Sequence, residues 1–275
     1  MSDAPETIEQ AMLAARQAGV DRLDIQVMLT TLLGQSRSWL LAHDRDPLPS
    51  TVQPTLQDWI RRRAGGEPLA YLLGEREFFG LNFSVNPGVL IPRPDTEILV
   101  EWALEHIPVD QARAVLDLGT GSGAIALAIA HQRPLACVTA VDASPAALET
   151  ARHNAERLDV SVQLRLGSWL EPVRAETFDL IVSNPPYIAE GDEHLPALKH
   201  EPLTALTSGP DGLDDIRHIV KQAKAHLRPG AWLLLEHGYD QADAVAQLLH
   251  QAGYGQVTTR RDLGGQNRCT GGQTL

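Results

Sequence analysis

The stretch "VLDLGTGSGAIALA", residues 115 to 128, changes character halfway along, and that change decides the fold. Its first four residues are apolar except for Asp117, as in a buried strand, and its end, from Ala124, is a small apolar helix former. Between them Gly119, Gly121 and Gly123 let the backbone turn tightly and let a ligand approach with no Cβ in the way. Strand, glycine turn and helix in this order begin a βαβ unit and mark a nucleotide-type site. The loop does not name the nucleotide, because with Ala124 as its last position it also fits the GxGxxA dinucleotide pattern. A tight βα turn without a ligand is the plainer alternative.

Working outward from this loop, strand-like and helix-like segments alternate: "CVTAVDA", "SPAALETARHNAERL", "SVQLRLG", "FDLIVS", "DDIRHIVKQAKAHL", "AWLLLEHG", "DQADAVAQLLHQAG" and "GQVTTRRDL". Such alternation predicts an α/β protein with a mostly parallel, doubly wound sheet and helices on both faces. The terminal "NRCTGG" adds one antiparallel strand, making seven. Upstream, residues 5 to 73 read as helices, with Ile8, Met12, Leu13 and Ala15 on one face and glycines closing "VQPTLQDWIRRRAGG". "EREFFGLNFSV" then reads as a β-hairpin around Gly80. The expected division is a helical domain at 1–73, a hairpin linker at 74–92 and a catalytic domain at 93–275.

The composition narrows the function classes. A 275-residue chain with 43% hydrophobic residues can bury an ordinary core, and a formal charge of −12 opposes any binding mode that blankets nucleic-acid phosphates with Lys and Arg. No stable nucleic-acid complex is expected. Cys137 and Cys269 stand far apart in strand-like surroundings, so both are expected as buried hydrophobes and neither a disulfide nor a thiolate metal site is indicated. The ten histidines lack HExxH spacing and no GxSxG elbow occurs, so no metal is expected. The acidic start "MSDAPETIEQ" does not read as a signal peptide and "AIALAIA" is too short to span a bilayer, which predicts a cytoplasmic protein without membrane attachment.

Asp142 closes the second strand some twenty residues after Gly119, where a carboxylate can accept hydrogen bonds from ribose hydroxyls. A helix start is the competing reading, although Ser144 can cap that helix. Asp117, two residues before the first glycine, would repel a pyrophosphate and favour the sulfonium and ammonium of S-adenosylmethionine. The third strand ends in "GSWL", where Trp169 offers a wall to adenine and Ser168 a hydroxyl, unless Trp169 is plain core.

The fourth strand ends in "SNPPYI", residues 183 to 188. Prolines there can simply stop a strand. A chemical reading uses all four motif residues. A carboxamide nitrogen is a poor nucleophile, and an enzyme that methylates it must hold both N–H bonds with acceptors and offer no competing donors. Asn184 can supply its side-chain oxygen and Pro185 its carbonyl. Pro185 and Pro186 contribute no N–H, and Tyr187 can stack on the planar amide.

"DLGTGSG", "VDAS" and "SNPPYI" in this order resemble class I S-adenosylmethionine-dependent methyltransferases, and NPPY resembles those acting on planar exocyclic or amide nitrogens. "GEREFFG", "LIPRPDTE", "EPLTALTSGPDGLDDI" and "LLLEHGYDQ" narrow the resemblance, over nearly the whole chain, to the peptide chain release factor glutamine methyltransferases, the PrmC/HemK family. The resemblance implies a Rossmann-like catalytic domain, a helical substrate-recognition domain, and methylation of the GGQ glutamine of class I peptide chain release factors, with S-adenosyl-L-homocysteine as product. It implies a donor site at Gly119, Thr120, Gly121, Ser122, Gly123, Asp142, Trp169 and Asn184, and a glutamine site at Asn184, Pro185, Pro186 and Tyr187. Asn184, Pro185 and Tyr187 are the implied catalytic set, and a monomer is expected. Ser168 departs from the family pattern, which often has Asp there. Arg93, Glu97 and His237 match family positions without an assigned role. "RRR" at 61–63 is a solvated face or a partner contact.

Two rival activities share parts of this site. An adenine-amino methyltransferase would use the same NPPY geometry on a flipped base, against the acidic charge. A nicotinamide-dependent oxidoreductase would use the glycine loop and Asp142 but has no use for NPPY. A non-catalytic adaptor would leave both motifs without a task. The chain also carries GGQ twice, at 264–266 and 271–273, which raises self-methylation at Gln273.

Overall fold

The computed structural model describes residues 7–275. The first six residues of the acidic start, and of the helical domain expected from residue 1, lie outside the described residues. Met1–Gly74 and Glu75–Leu275 form separate compact units.

The first unit contains α1 (Ile8–Gln17), α2 (Arg22–Leu33), α3 (Arg37–Ala42), α4 (Gln53–Ala64) and α5 (Leu69–Leu73). Thr7 opens α1 with a capping box closed by Gln10, and the side chains of Asp21 and Ser36 cap α2 and α3, so orphan N–H groups at three starts are satisfied. Ile8, Ala11 and Ala15 of α1 pack with Ile25, Met28, Leu29, Leu40 and Leu56. Leu13 was expected on this face but is exposed: the buried stripe runs i, i+3, i+7 from Ile8, and position 13 falls outside it. The three arginines at 61–63 pair within the unit, Arg61 with Asp58, Arg62 with Glu67 and Arg63 with Asp24.

The second unit begins with an antiparallel hairpin, β1 (Glu75–Phe78) and β2 (Leu81–Ser84). Phe79 sits at positive φ in its turn, and its N–H is held at 3.0 Å by the Glu97 carboxylate. Phe78 and Phe83 point into the same core as Leu99, Val100 and Trp102 of α6 (Glu97–Glu105). Then follow β3 (Ala114–Leu118), α7 (Ala124–Gln132), β4 (Cys137–Asp142), α8 (Pro145–Leu158), β5 (Gln163–Leu166), β6 (Phe178–Ser183), α9 (Asp214–Ala223), β7 (Leu227–Glu236), α10 (Ala242–Gln251), β8 (Gly255–Arg261) and β9 (Asn267–Gln273).

Among the described residues seven strands form one sheet in the order β5-β4-β3-β6-β7-β9-β8. All run parallel except β9, which is antiparallel to β7 and β8. One apolar cluster, built on α6 and α7, and a second, built on α9 and α10, each include residues of the sheet. Every residue of α7 from Ala124 to Ala130 is buried, which explains why its sequence shows no polar face. Cys269 is buried as expected. Cys137 is not: as the first residue of β4 it lies at the strand's exposed entry.

Candidate active site at the carboxyl edge of the sheet

Strand register assembles the site. Leu166 pairs with Asp142, Val141 with Leu118, Leu118 with Ser183, and Ser183 with Leu235. The next residue on each inner strand therefore falls in one row: Asp142, Gly119, Asn184 and Glu236. At this edge, where the strand order reverses between β3 and β6, a cleft of about 550 Å³ opens. This is the place where doubly wound sheets bind ligands.

The glycine loop is bound to its neighbours. Gly119 and Thr120 both donate their N–H to the Val141 carbonyl, at 2.9 and 3.0 Å, and Gly121 donates to Asp142 Oδ2 at 2.8 Å. Gly119 stands at φ 72°, and a Cβ there would meet the Trp169 ring at 3.3 Å, so the ring covers the loop only because the residue is glycine. Asn154, fully buried on α8, ties the loop to the hairpin: its amide donates to the carbonyls of Ser122 (2.9 Å) and Ser84 (3.0 Å) and its oxygen accepts from Ser84 N–H (2.7 Å). The sequence signal for this support was a polar residue at a core-facing position of α8.

The cleft is lined by Gly119, Gly121, Asp142, Ser168, Trp169 and Asn184, among others, with Pro186 on the Asn184 side. Thr120, Ser122 and Gly123, implied as donor residues, are not among the residues lining the cleft; the Thr120 hydroxyl donates to Asp117 and the Ser122 carbonyl accepts from Asn154. Asp142 uses one oxygen for Gly121 N–H and the other for Ser144 N–H at 2.8 Å, and Ser144 caps α8. It stitches the two βα turns together, and each oxygen keeps a second lone pair.

Asp117 corrects the reading from sequence. It does not face the cleft but is fully buried beneath the loop, where Oδ2 accepts the Thr120 hydroxyl at 2.6 Å and Oδ1 has no hydrogen-bond partner among the described residues. Burial pushes its carboxyl up to about 7, against the Thr120 hydroxyl. Asp117 is not among the residues that line the cleft.

At the other side of the cleft, Asn184 Nδ2 donates to Thr96 Oγ1 at 3.2 Å, while Asn184 Oδ1 is buried with no hydrogen-bond partner among the described residues. A buried orphan acceptor is costly and marks a place prepared for a donor from elsewhere. Pro185 is buried. Tyr187 is anchored by its backbone, its carbonyl accepting Gln241 Nε2 at 2.9 Å and its N–H donating to Leu206. Its hydroxyl reaches Glu236 Oε1 at 3.4 Å. Thr96 and Glu236 were not singled out in the sequence.

The unassigned residues have structural partners. Arg93 pairs with Glu201, whose other oxygen holds Ile91 N–H at 3.2 Å, which joins two loops beside the cleft. His237 is buried between Thr270 Oγ1 and the Gly238 carbonyl, both at 2.7 Å. Gln273 lies within β9, its amide donating to the Gly230 carbonyl at 2.8 Å and its oxygen held by Gln256. A glutamine fixed there is not presented to a cleft at the strand ends. Gly271 beside it is a packing requirement, because a Cβ would fall 2.5 Å from Leu234 and 2.8 Å from Trp102.

The strand order and the glycine-loop cleft are those of the class I methyltransferase fold. Residues 95–205 match the methyltransferase small domain, and residues 6–74 match the PrmC N-terminal domain. A methyltransferase of Pyrococcus furiosus superposes with a TM-score of 0.55 at 22% identity, over 72% of this chain and 91% of that one, a likeness of fold. Two relatives, both release factor glutamine methyltransferases, are much nearer. That of Coxiella burnetii is 45% identical over 98% of this chain and 96% of its own, and that of Bordetella pertussis is 49% identical over 92% and 95%. The chain belongs to the release factor glutamine methyltransferase family. Among the described residues no helix is long and apolar enough to cross a membrane.

Proposed function

We propose that the protein transfers a methyl group from S-adenosyl-L-methionine to the side-chain nitrogen of the GGQ glutamine of class I peptide chain release factors, acting as a monomer in the cytoplasm. The observation that carries this reading is the buried, unpartnered Oδ1 of Asn184 beside the glycine loop. The donor fits the residues present: Gly119 and Gly121 leave the cleft floor free of Cβ, Trp169 offers a ring to adenine, and the spare lone pairs of Asp142 suit two ribose hydroxyls. When bound, the donor supplies an electrophilic methyl on a sulfonium centre.

Asn184 Oδ1 accepts one N–H of the substrate amide and the Pro185 carbonyl the other, which leaves the nitrogen lone pair aimed along the cleft. Pro185 and Pro186 add no donor that would compete for that lone pair. Tyr187 limits the amide to one plane. Positioning of this kind supplies up to about 7 to 11 kcal/mol of barrier reduction, so no strong base is required. As the carbon–nitrogen bond replaced the carbon–sulfur bond a neutral thioether would be left as leaving group, and the nitrogen would then give its proton to water. The helical unit recognises the release factor outside its GGQ loop.

The test offers the purified protein radiolabelled donor together with a release factor and with adenine-containing DNA. Label on the release factor at its GGQ glutamine is the expected result. Label on DNA, or on neither, overturns the reading.

A further inference from the structure

The segment "IPRPDTE", residues 91 to 97, leads from Leu90 in the cleft wall into α6 and is stiff by composition. Pro92 and Pro94 each fix φ, and Arg93 between them is extended, at φ −103° and ψ 143°. Pro94–Thr96 then closes as one turn of 3₁₀ helix, with Thr96 N–H on the Arg93 carbonyl at 3.1 Å.

The side chains of this turn are spent on distant parts of the second unit. Glu201 accepts Ile91 N–H at 3.2 Å and pairs with Arg93. Asp95 pairs at 3.3 Å with Arg268 of β9, which Asp262 holds from its other side at 3.1 Å. Glu97 accepts the Phe79 N–H at 3.0 Å. Carboxylates thus fasten one short turn to the loop after β6, to β9 and to the β1–β2 hairpin. The Asp95 pair is half exposed and adds little stability, so what it contributes is place.

The remaining polar side chain of the turn is Thr96, which is buried, and it reaches the site: Asn184 Nδ2 donates to its Oγ1 at 3.2 Å. That oxygen is the one acceptor Nδ2 has among the described residues. The last torsion of an asparagine is soft, so its amide can present either oxygen or NH₂ to the cleft unless a neighbour decides. With Nδ2 spent on Thr96, Oδ1 is the atom left open. The reverse orientation would offer a substrate amide donors where it needs acceptors.

We propose that Thr96 is a positioning residue for methyl transfer: carried on a turn fastened from three sides, it holds the Asn184 amide by its nitrogen and so keeps Oδ1 for the substrate. This rests on the reading of Asn184 as the acceptor for the substrate amide.

The test uses the full chain with Thr96→Val, Thr96→Ser, Asn184→Ala and the double variant Thr96→Val/Asn184→Ala. Measured for each are kcat and KM with a release factor, affinity for the demethylated donor by calorimetry, and thermal stability. Thr96→Val keeps the shape and removes the acceptor, and is expected to lower kcat tenfold or more with KM and donor affinity within about twofold. Thr96→Ser restores the hydroxyl and is expected to recover most of the rate. Adding Thr96→Val to Asn184→Ala is expected to cost less than a further twofold, because the residue it positions is already gone. If Thr96→Val does not fold, Thr96→Ala takes its place against Thr96→Ser. An unchanged kcat in Thr96→Val beside an impaired Asn184→Ala overturns the inference and leaves the acceptor reading standing. A Thr96→Ser as slow as Thr96→Val, or an equal tenfold fall in both backgrounds, overturns it as well. No loss in Asn184→Ala removes the acceptor reading itself.

Discussion

Asp142 and Asp117 are both acids of the glycine-loop region, and the structure gives them different tasks. Asp142 faces the cleft and holds the N–H groups of Gly121 and Ser144. Replacing it with Ala is expected to weaken donor binding by roughly 1 to 3 kcal/mol, the loss of charge-assisted bonds, which calorimetry would measure directly. Asp117 is a matter of stability. Its carboxyl rises from 3.8 to about 7 in the folded chain, because burial disfavours the charge. The folded state therefore keeps its proton longer than the unfolded state, so this group's contribution is complete below pH ~4 and lost as pH rises through ~7. Asp117→Asn should show a melting temperature less sensitive to pH between 5 and 7 than the parent protein. A parallel pair of profiles would contradict this account of Asp117.

Elements were legible where a period or a turn residue announced them. The strand–glycine–helix transition at 115–128, the hairpin turn at Gly80 and the antiparallel last strand could all be read from sequence. What could not be read was the direction of individual side chains once elements packed. Cys137 has the neighbours of a core residue but occupies the exposed first position of β4, and Leu13 falls between Ala11 and Ala15, off the buried stripe of α1. Thr96 and Glu236 were missed for a related reason. Each looks ordinary in its own segment, and only the parallel register of β6 and β7 and the turn before α6 bring them beside Asn184. The GGQ at 271–273 shows the converse, a motif whose glycines answer to packing. Gly271→Ala, which forces a methyl against Leu234 and Trp102, is expected to destabilise the catalytic unit by about 1 to 3 kcal/mol in urea denaturation. An unchanged midpoint would contradict the packing account.

On the scale of the whole molecule, the donor cleft is lined by residues of the second unit alone, from Gly88 to Asp215. On the proposed reading, donor binding belongs to this unit and partner recognition to the helical one. A chain beginning at Glu75 is expected to keep the donor affinity of the full chain and to lose most turnover on a folded release factor, measured by calorimetry and by label transfer. Full turnover without the helical unit would show that recognition lies elsewhere. The central claim is that Asn184 Oδ1, buried and without a partner, holds the substrate amide during transfer. Its most direct test is the single-turnover rate of Asn184→Ala on a release factor, with donor affinity measured on the same preparation. The account predicts a fall of a hundredfold or more with little loss of donor affinity, and a rate equal to that of the parent protein would contradict it.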